Sequence, residues 1–259
     1  MATRPPPPPS SPYWQASRAP RYSLLFALPL LILYELLAAA APAIPAATHA
    51  AGGGGGVRNG ADVLLQMVFV WIAGPWGPPL FMLLLIGAGL WLVAKDLRSH
   101  PAAPSPAVFG TMLAESVALA LSFGVVVGGL TAALLGNPPP DLLAQAMDEL
   151  DRTTLFMLSL GAGIYEELLF RVLLVGVLAW AGHRVLGWRP LTAGIVATVA
   201  GALIFSAFHY VGPFGDALDV YSFVFRTIAG LFFSGLYLLR GFGITAWTHA
   251  LYDVFLLLR

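Results

Sequence analysis

The sequence predicts an all-α, polytopic integral membrane bundle of about seven transmembrane helices. Three observations carry that prediction. Of 259 residues, 58% are hydrophobic and only 10% charged, where an ordinary soluble domain has about 25% charged. The mean hydropathy is +0.81. Apolar runs near the length of about 20 residues needed to cross the hydrocarbon core recur along the chain. Lys plus Arg equals Asp plus Glu at 13 each, so no basic field exists to hold a nucleic acid, and that partner class is excluded. With no cysteine there is no disulfide framework, thiolate metal site or cysteine nucleophile.

Residues 1–21 hold the run Pro5 to Pro9 and three arginines without apolar periodicity, which predicts a disordered or polyproline-II-like cytoplasmic tail. Runs at 22–44, 78–94 and 108–136 give the N-terminal transmembrane helices of a region spanning 22–136. Ala41-Pro42-Ala43 resembles a signal-peptidase site, but the apolar run before it exceeds the usual h-region of about 7–15 residues, so it reads as a retained anchor. Gly52 to Gly56 reads as a flexible loop. The stretch 63–73, stopped by Gly74-Pro75, is too short to span and reads as re-entrant or interfacial. Residues 137–152 form an acidic extracytoplasmic loop. Spans at 153–181, 191–211 and 243–258, with a weaker one at 220–239 carrying Arg226, complete a C-terminal core over 153–258.

Basic residues orient the bundle. With the N-terminus cytoplasmic, Arg4, Arg18, Arg21, Lys95, Arg98, Arg184, Arg189 and Arg240 lie inside, against Arg58, Arg152 and Arg259 outside. The expected location is a bacterial inner (cytoplasmic) membrane.

Ionisable residues inside spans are costly and need a partner, a water cavity or a function. Glu35, Glu115, Glu166, Glu167, Arg171, His209, His249 and Asp253 all fall there. Glu166 and Glu167, about 100° apart on an ideal helix, cannot face one point. Glu167 and Arg171 stand at the spacing where a Glu and a following Arg meet on one face, which predicts a structural ion pair. Glu166 is then left to face a cavity with a carboxylate free to handle a proton. Gly161, Ala162 and Gly163 let another helix or a substrate backbone come close. Phe205 and His209 share a face, as do His249 and Asp253, where an Asp one turn from a His can orient its ring or act as a second metal ligand. The 1.5 Å rise per residue puts His209 near the outer end of its span and His249 nearer the inner end of its own, so the site requires the three faces to converge.

The pattern Glu166-Glu167-x-x-x-Arg171, Phe205-x-x-x-His209 and His249-x-x-x-Asp253 resembles the CPBP family of intramembrane proteases over 153–258. That family includes the Rce1-type CAAX prenyl endopeptidases, bacteriocin-processing and self-immunity proteins, and enzymes that process C-terminal sorting signals. The resemblance implies that Glu166 activates a water for attack on a peptide carbonyl while His209 and His249 hold the oxyanion. Asp253 stands where the family has Asn or Asp; it must be protonated to serve an oxyanion, or else orient His249. The resemblance implies no cofactor and favours a metal-free, glutamate-activated water. Zinc is the alternative, although the donors lack the local spacing of an HExxH site. Tyr34-Glu35 and the stretch Val57 to Asp62 look like the front end of the myxosortase subgroup, which cuts C-terminal anchors from surface proteins. The implied partners are the lipid bilayer and a protein or peptide substrate with a C-terminal membrane anchor.

Glu35 and Glu115 are expected to be structural, paired with Arg171, Arg226 or backbone groups. His49, His100 and His183 fall in loops and should be solvated. Phe223, Phe225, Phe232 and Phe233 are expected to face lipid. Two rival functions remain open at this stage. Intramembrane Glu, His and Asp also build the relays of proton-coupled transporters, although no internal repeat is visible; and the same fold serves as a non-enzymatic immunity or partner-binding protein.

Overall fold

The computed structural model describes residues 12–40, 57–137, 150–212 and 215–258. A short turn, α1 (Tyr13–Ala16), leads into α2 (Pro20–Ala40), then α3 (Gly60–Ala73), a 3₁₀ turn (Gly74–Trp76), α4 (Gly77–Ser99) and α5 (Pro106–Leu135). The chain resumes with α6 (Arg152–Gly161), which runs through a π-helical segment (Ala162–Val175) into α7 (Gly176–Arg184). Helices α8 (Pro190–Phe208), α9 (Val220–Arg240) and α10 (Phe242–Leu257) follow. No strand occurs among the described residues. The fold is therefore an all-α polytopic membrane bundle.

Five stretches among the described residues are long and apolar enough to cross a membrane: Pro20–Ala40, Gly60–Ser99, Pro106–Leu135, Pro190–Phe208 and Val220–Arg240. The two other expected spans exist as helices with different character. The rod formed by α6, the π segment and α7 carries Glu166, Glu167 and Arg171 mid-length, and α10 has only 16 residues. Trp71 and Trp76, 84% and 76% exposed, flank the α3–α4 turn as aromatic anchors suited to a membrane interface.

The 63–73 stretch folds back rather than continuing into α4. Gly74 takes a φ of +57°, a conformation open to glycine. The Phe69 and Phe81 rings then meet at 5.3 Å, and the backbone of Val70 lies against Gly77, where a Cβ would not fit. Asn59 caps α3 by accepting from the Ala61 amide at 2.9 Å.

The expected disordered tail ends earlier than 21. Tyr13 and Trp14 lie under the Arg240 guanidinium, Tyr13 donates to Glu115 at 2.6 Å, and α2 already begins at Pro20. These contacts order the segment because the Glu115–Arg240 pair holds the Tyr13 hydroxyl and the Tyr13 and Trp14 rings. Residues 1–11, the possible cleavage site at 41–43, His49, the Gly52–Gly56 loop and most of the 137–152 loop lie outside the described residues. At the end of that loop Asp151 caps α6, accepting from the Thr153 and Thr154 amides and the Thr154 hydroxyl. The Thr154 hydroxyl, with those amides, holds the exposed Asp151 carboxyl below the usual range.

Two close approaches set the geometry of the core. At Gly163 an added Cβ would fall on the Ala246 carbonyl oxygen and reach Ala250 Cβ at 2.8 Å, so α10 crosses the π segment in backbone contact. Helix α8 packs antiparallel to the lower rod in constant register: Ala193 meets Gly182, Gly201 meets Val175, Phe205 meets Arg171 and His209 meets Glu166. Gly163→Ala should therefore cost about 1–3 kcal/mol by overpacking, read as a lowered melting temperature in detergent. Gly87→Ala, where a Cβ meets nothing within 4 Å, should leave the melting temperature no lower than that of the wild type.

Candidate active site

The two adjacent glutamates point to different neighbours. Glu167 is fully buried at 0% exposure. Its Oε2 lies 3.2 Å from Arg171 Nε, and its Oε1 accepts from His249 Nδ1 at 2.7 Å. The Arg171 guanidinium sits over the Phe205 ring at 4.4 Å and the Phe233 ring at 5.4 Å, where ring faces offset some of the lost hydration. The expected pair is present, but Glu167 does more than neutralise Arg171, because it also grips a histidine ring.

Glu166 faces the other way. Its Oε1 accepts from Asn59 Nδ2 at 2.9 Å. Its Oε2 stands 4.0 Å from His209 Nε2. The π segment contains both glutamates and Arg171, and its i→i+5 ladder brings residues five apart nearer to one face than an α-helix does. The pairing with Arg171 nevertheless falls to Glu167, at 3.2 Å.

Both imidazoles commit the same nitrogen to the protein. His209 Nδ1 is 2.9 Å from the Phe205 carbonyl, which can only accept, so Nδ1 carries a proton. His249 Nδ1 donates to the Glu167 carboxylate by the same logic. Each ring therefore offers Nε2 to the site. His249 is 6% exposed and is held flat on Phe233, with centroids 4.4 Å apart and planes at 21°. Asp253 lies one turn on, its Oδ2 3.7 Å from His249 Nε2. The carboxylate that orients His249 is thus Glu167, the closer of the two and the one bonded to Nδ1; Asp253 stands beside the atom that faces the site.

The depth conflict between His209 and His249 dissolves in the register described above. Helix α8 ends at the level of Glu166, because the chain from Glu166 down to Arg184 and the chain from Pro190 up to His209 are nearly equal in length. His249 reaches that region because α10 crosses the π segment at Gly163. Glu166, Glu167, Arg171, His209, His249 and Asp253 form one continuous cluster.

Several expectations need correction. Glu35 pairs with Arg58 at 2.6 Å and receives the Tyr165 hydroxyl at 2.5 Å, and Glu115 pairs with Arg240 at 2.6 Å; neither meets Arg171 or Arg226, and Arg226 pairs with Asp216 at 2.5 Å. Of the phenylalanines expected to face lipid, Phe225, Phe232 and Phe233 surround Phe123 at 6.4, 5.1 and 4.7 Å, and Phe233 is 1% exposed. An aromatic run in a span looks the same whether it meets lipid or other rings. His100 is exposed just past the end of α4, as expected; His183 is exposed too, but in the last turn of α7 rather than in a loop. Asn59 was not among the expected site residues; its one sequence signal was its place in the stretch Val57 to Asp62, set apart there by resemblance alone. Among the described residues no group of three or more His, Asp or Glu side chains is placed to hold a metal ion.

Residues 150–255 match the family model described as type II CAAX prenyl endopeptidase Rce1-like. No curated protein and no solved structure matches the chain.

The contrast between the glutamates is testable by stability alone. Glu167→Ala strands the Arg171 guanidinium and should cost about 3–5 kcal/mol. Glu166→Gln keeps an amide oxygen for Asn59 and should melt close to the wild type in the same detergent.

Proposed function

We propose that the chain, through the Rce1-like type II CAAX prenyl endopeptidase domain it carries at 150–255, is an intramembrane endopeptidase in which Glu166 is the general base. The observation that supports this reading most is the meeting of Glu166 Oε2 with His209 Nε2 at 4.0 Å, from two different elements and with no other side chain among the described residues hydrogen-bonded to Oε2. Glu166 takes a proton from water as the water oxygen attacks the scissile carbonyl carbon. The carbonyl oxygen becomes an oxyanion, held by the Nε2–H groups of His209 and His249. The intermediate collapses by breaking the C–N bond, and the proton on Glu166 passes to the leaving amine.

Because each ring has Nδ1 committed to a protein acceptor, Nε2 donates only when the ring is an imidazolium. Glu166 accepts only when ionised. The proposed substrate is a membrane-associated protein cut near its C-terminus, including anchors of the kind that myxosortases process. The proposed setting is a bacterial inner membrane with the N-terminus cytoplasmic, which puts the His209 end of α8 toward the outer leaflet.

Glu166→Gln should lower cleavage by about 10²–10⁴-fold. Comparing membrane and surface proteomes of wild-type and Glu166→Gln cells should reveal uncut precursors that share one C-terminal tail; equal expression with no precursor would overturn the proposal. With a peptide from that tail and purified enzyme, the rate should trace a bell against pH. It should fall on the acid side as Glu166 is protonated and on the alkaline side as the imidazolium is lost. A rate that stays flat through the alkaline side would rule out imidazolium donors.

A further inference from the structure

Asn59 lies outside the region that matches the endopeptidase family, yet among the described residues it makes the one hydrogen bond that Glu166 Oε1 receives. We propose that Asn59 is the positioning residue for Glu166, fixing the plane of its carboxylate so that Oε2 alone is presented as the base. The proposal rests on the reading of Glu166 as the base and adds a part of the site contributed by the N-terminal half.

The amide cannot be turned the other way. Asn59 Oδ1 accepts from the Ala61 amide at 2.9 Å as the cap of α3, so Nδ2 is the group left to face Glu166. Its backbone amide donates to the Tyr34 hydroxyl at 3.0 Å, which in turn donates to Asp62 Oδ2 at 2.8 Å. Asp62 is fully buried and is held by Arg58 Nε at 2.5 Å and Gln66 Nε2 at 2.6 Å. Arg58 also grips Glu35, and Glu35 accepts from Tyr165, the residue just before Glu166. The chain of bonds thus leaves Glu166 through Asn59 and returns to the backbone beside it. Gly161 makes the approach possible: a Cβ there would meet Asn59 Cβ at 2.8 Å and the Tyr34 ring at 2.5 Å.

A neutral amide neither gives nor takes a proton, so its effect is on geometry. It occupies one oxygen of the carboxylate and leaves the other facing His209. Misplacement of a reacting group by about 1 Å can cost on the order of 100-fold in rate.

Asn59→Ser and Asn59→Asp both keep an oxygen to cap α3. The first is too short to reach Glu166, and the second sets a carboxylate against Glu166 Oε1. Cleavage of the tail that Glu166→Gln leaves uncut should fall on the order of 100-fold in both, in kcat with KM little changed. Asn59→Asp should also melt below the wild type, and adding Glu166→Gln should restore it, because donor and acceptor are then exchanged across the same contact. Wild-type cleavage by Asn59→Asp and Asn59→Ser, with Glu166→Gln inactive, would overturn the positioning role and leave the endopeptidase standing. Additive melting shifts in the double variant would also overturn it. Full cleavage by Glu166→Gln would overturn both readings.

Discussion

Glu167 and Arg171 stand one turn apart on a helix in the middle of an apolar bundle, and both are buried. A lone charge there would cost several kcal/mol, so the pair must be kept together and both ends must be occupied. The surroundings meet that demand from three directions. Phe205 on α8 and Phe233 on α9 offer ring faces to the guanidinium, and His249 on α10 offers an N–H to the carboxylate. Each of the three C-terminal helices is thus tied to the same ion pair. The small residues Gly163 and Gly201 are what let α10 and α8 come near enough to do it.

Fixing Glu167 also fixes its neighbour. Adjacent residues on a helix diverge, so a carboxylate committed to Arg171 and His249 leaves the next carboxylate pointing away from both. Glu167 faces Arg171 with one oxygen and His249 with the other, which leaves Glu166 as the carboxylate turned toward His209. The two residues share a chemistry and differ only in company, which is the usual way that one carboxyl is kept structural while another is left to move protons. The same division runs through the histidines, whose Nδ1 atoms are held by the fold and whose Nε2 atoms are left to the site.

What could be read from the sequence follows from which information is local. The Glu167–Arg171 pair and the His249–Asp253 pair are four residues apart, and helical periodicity alone brings them together. Apolar length locates most of the spans for a similar reason. The contact between Asn59 and Glu166 joins residues 107 positions apart, and the partners of Glu35 and Glu115 come from different helices; no periodicity reports which helix packs on which. The phenylalanines of α9 were misplaced on the same ground, since hydrophobicity does not distinguish a lipid tail from the ring of Phe123. The folded segment before α2 was hidden because its reason for order, Glu115 beside Arg240, lies far along the chain. The π winding was also invisible, and it bends the simple angular argument that separated the two glutamates.

The register of α8 against the rod explains why polar groups collect at one level of this bundle. A helix end leaves carbonyl groups without intrahelical donors, and lipid cannot satisfy them. Helix α8 ends at Phe208, level with Glu166, and the chain turns there, with the His209 carbonyl accepting from the Asp216 amide at 2.9 Å. His209 takes up the Phe205 carbonyl with Nδ1, so the side chain that satisfies the helix end is the one whose other nitrogen faces Glu166. Polar backbone, an imidazole and a carboxylate with one free oxygen therefore collect at the same level. On the proposed reading of Glu166 as the base, that is the level of the bundle to which a peptide bond would have to be brought.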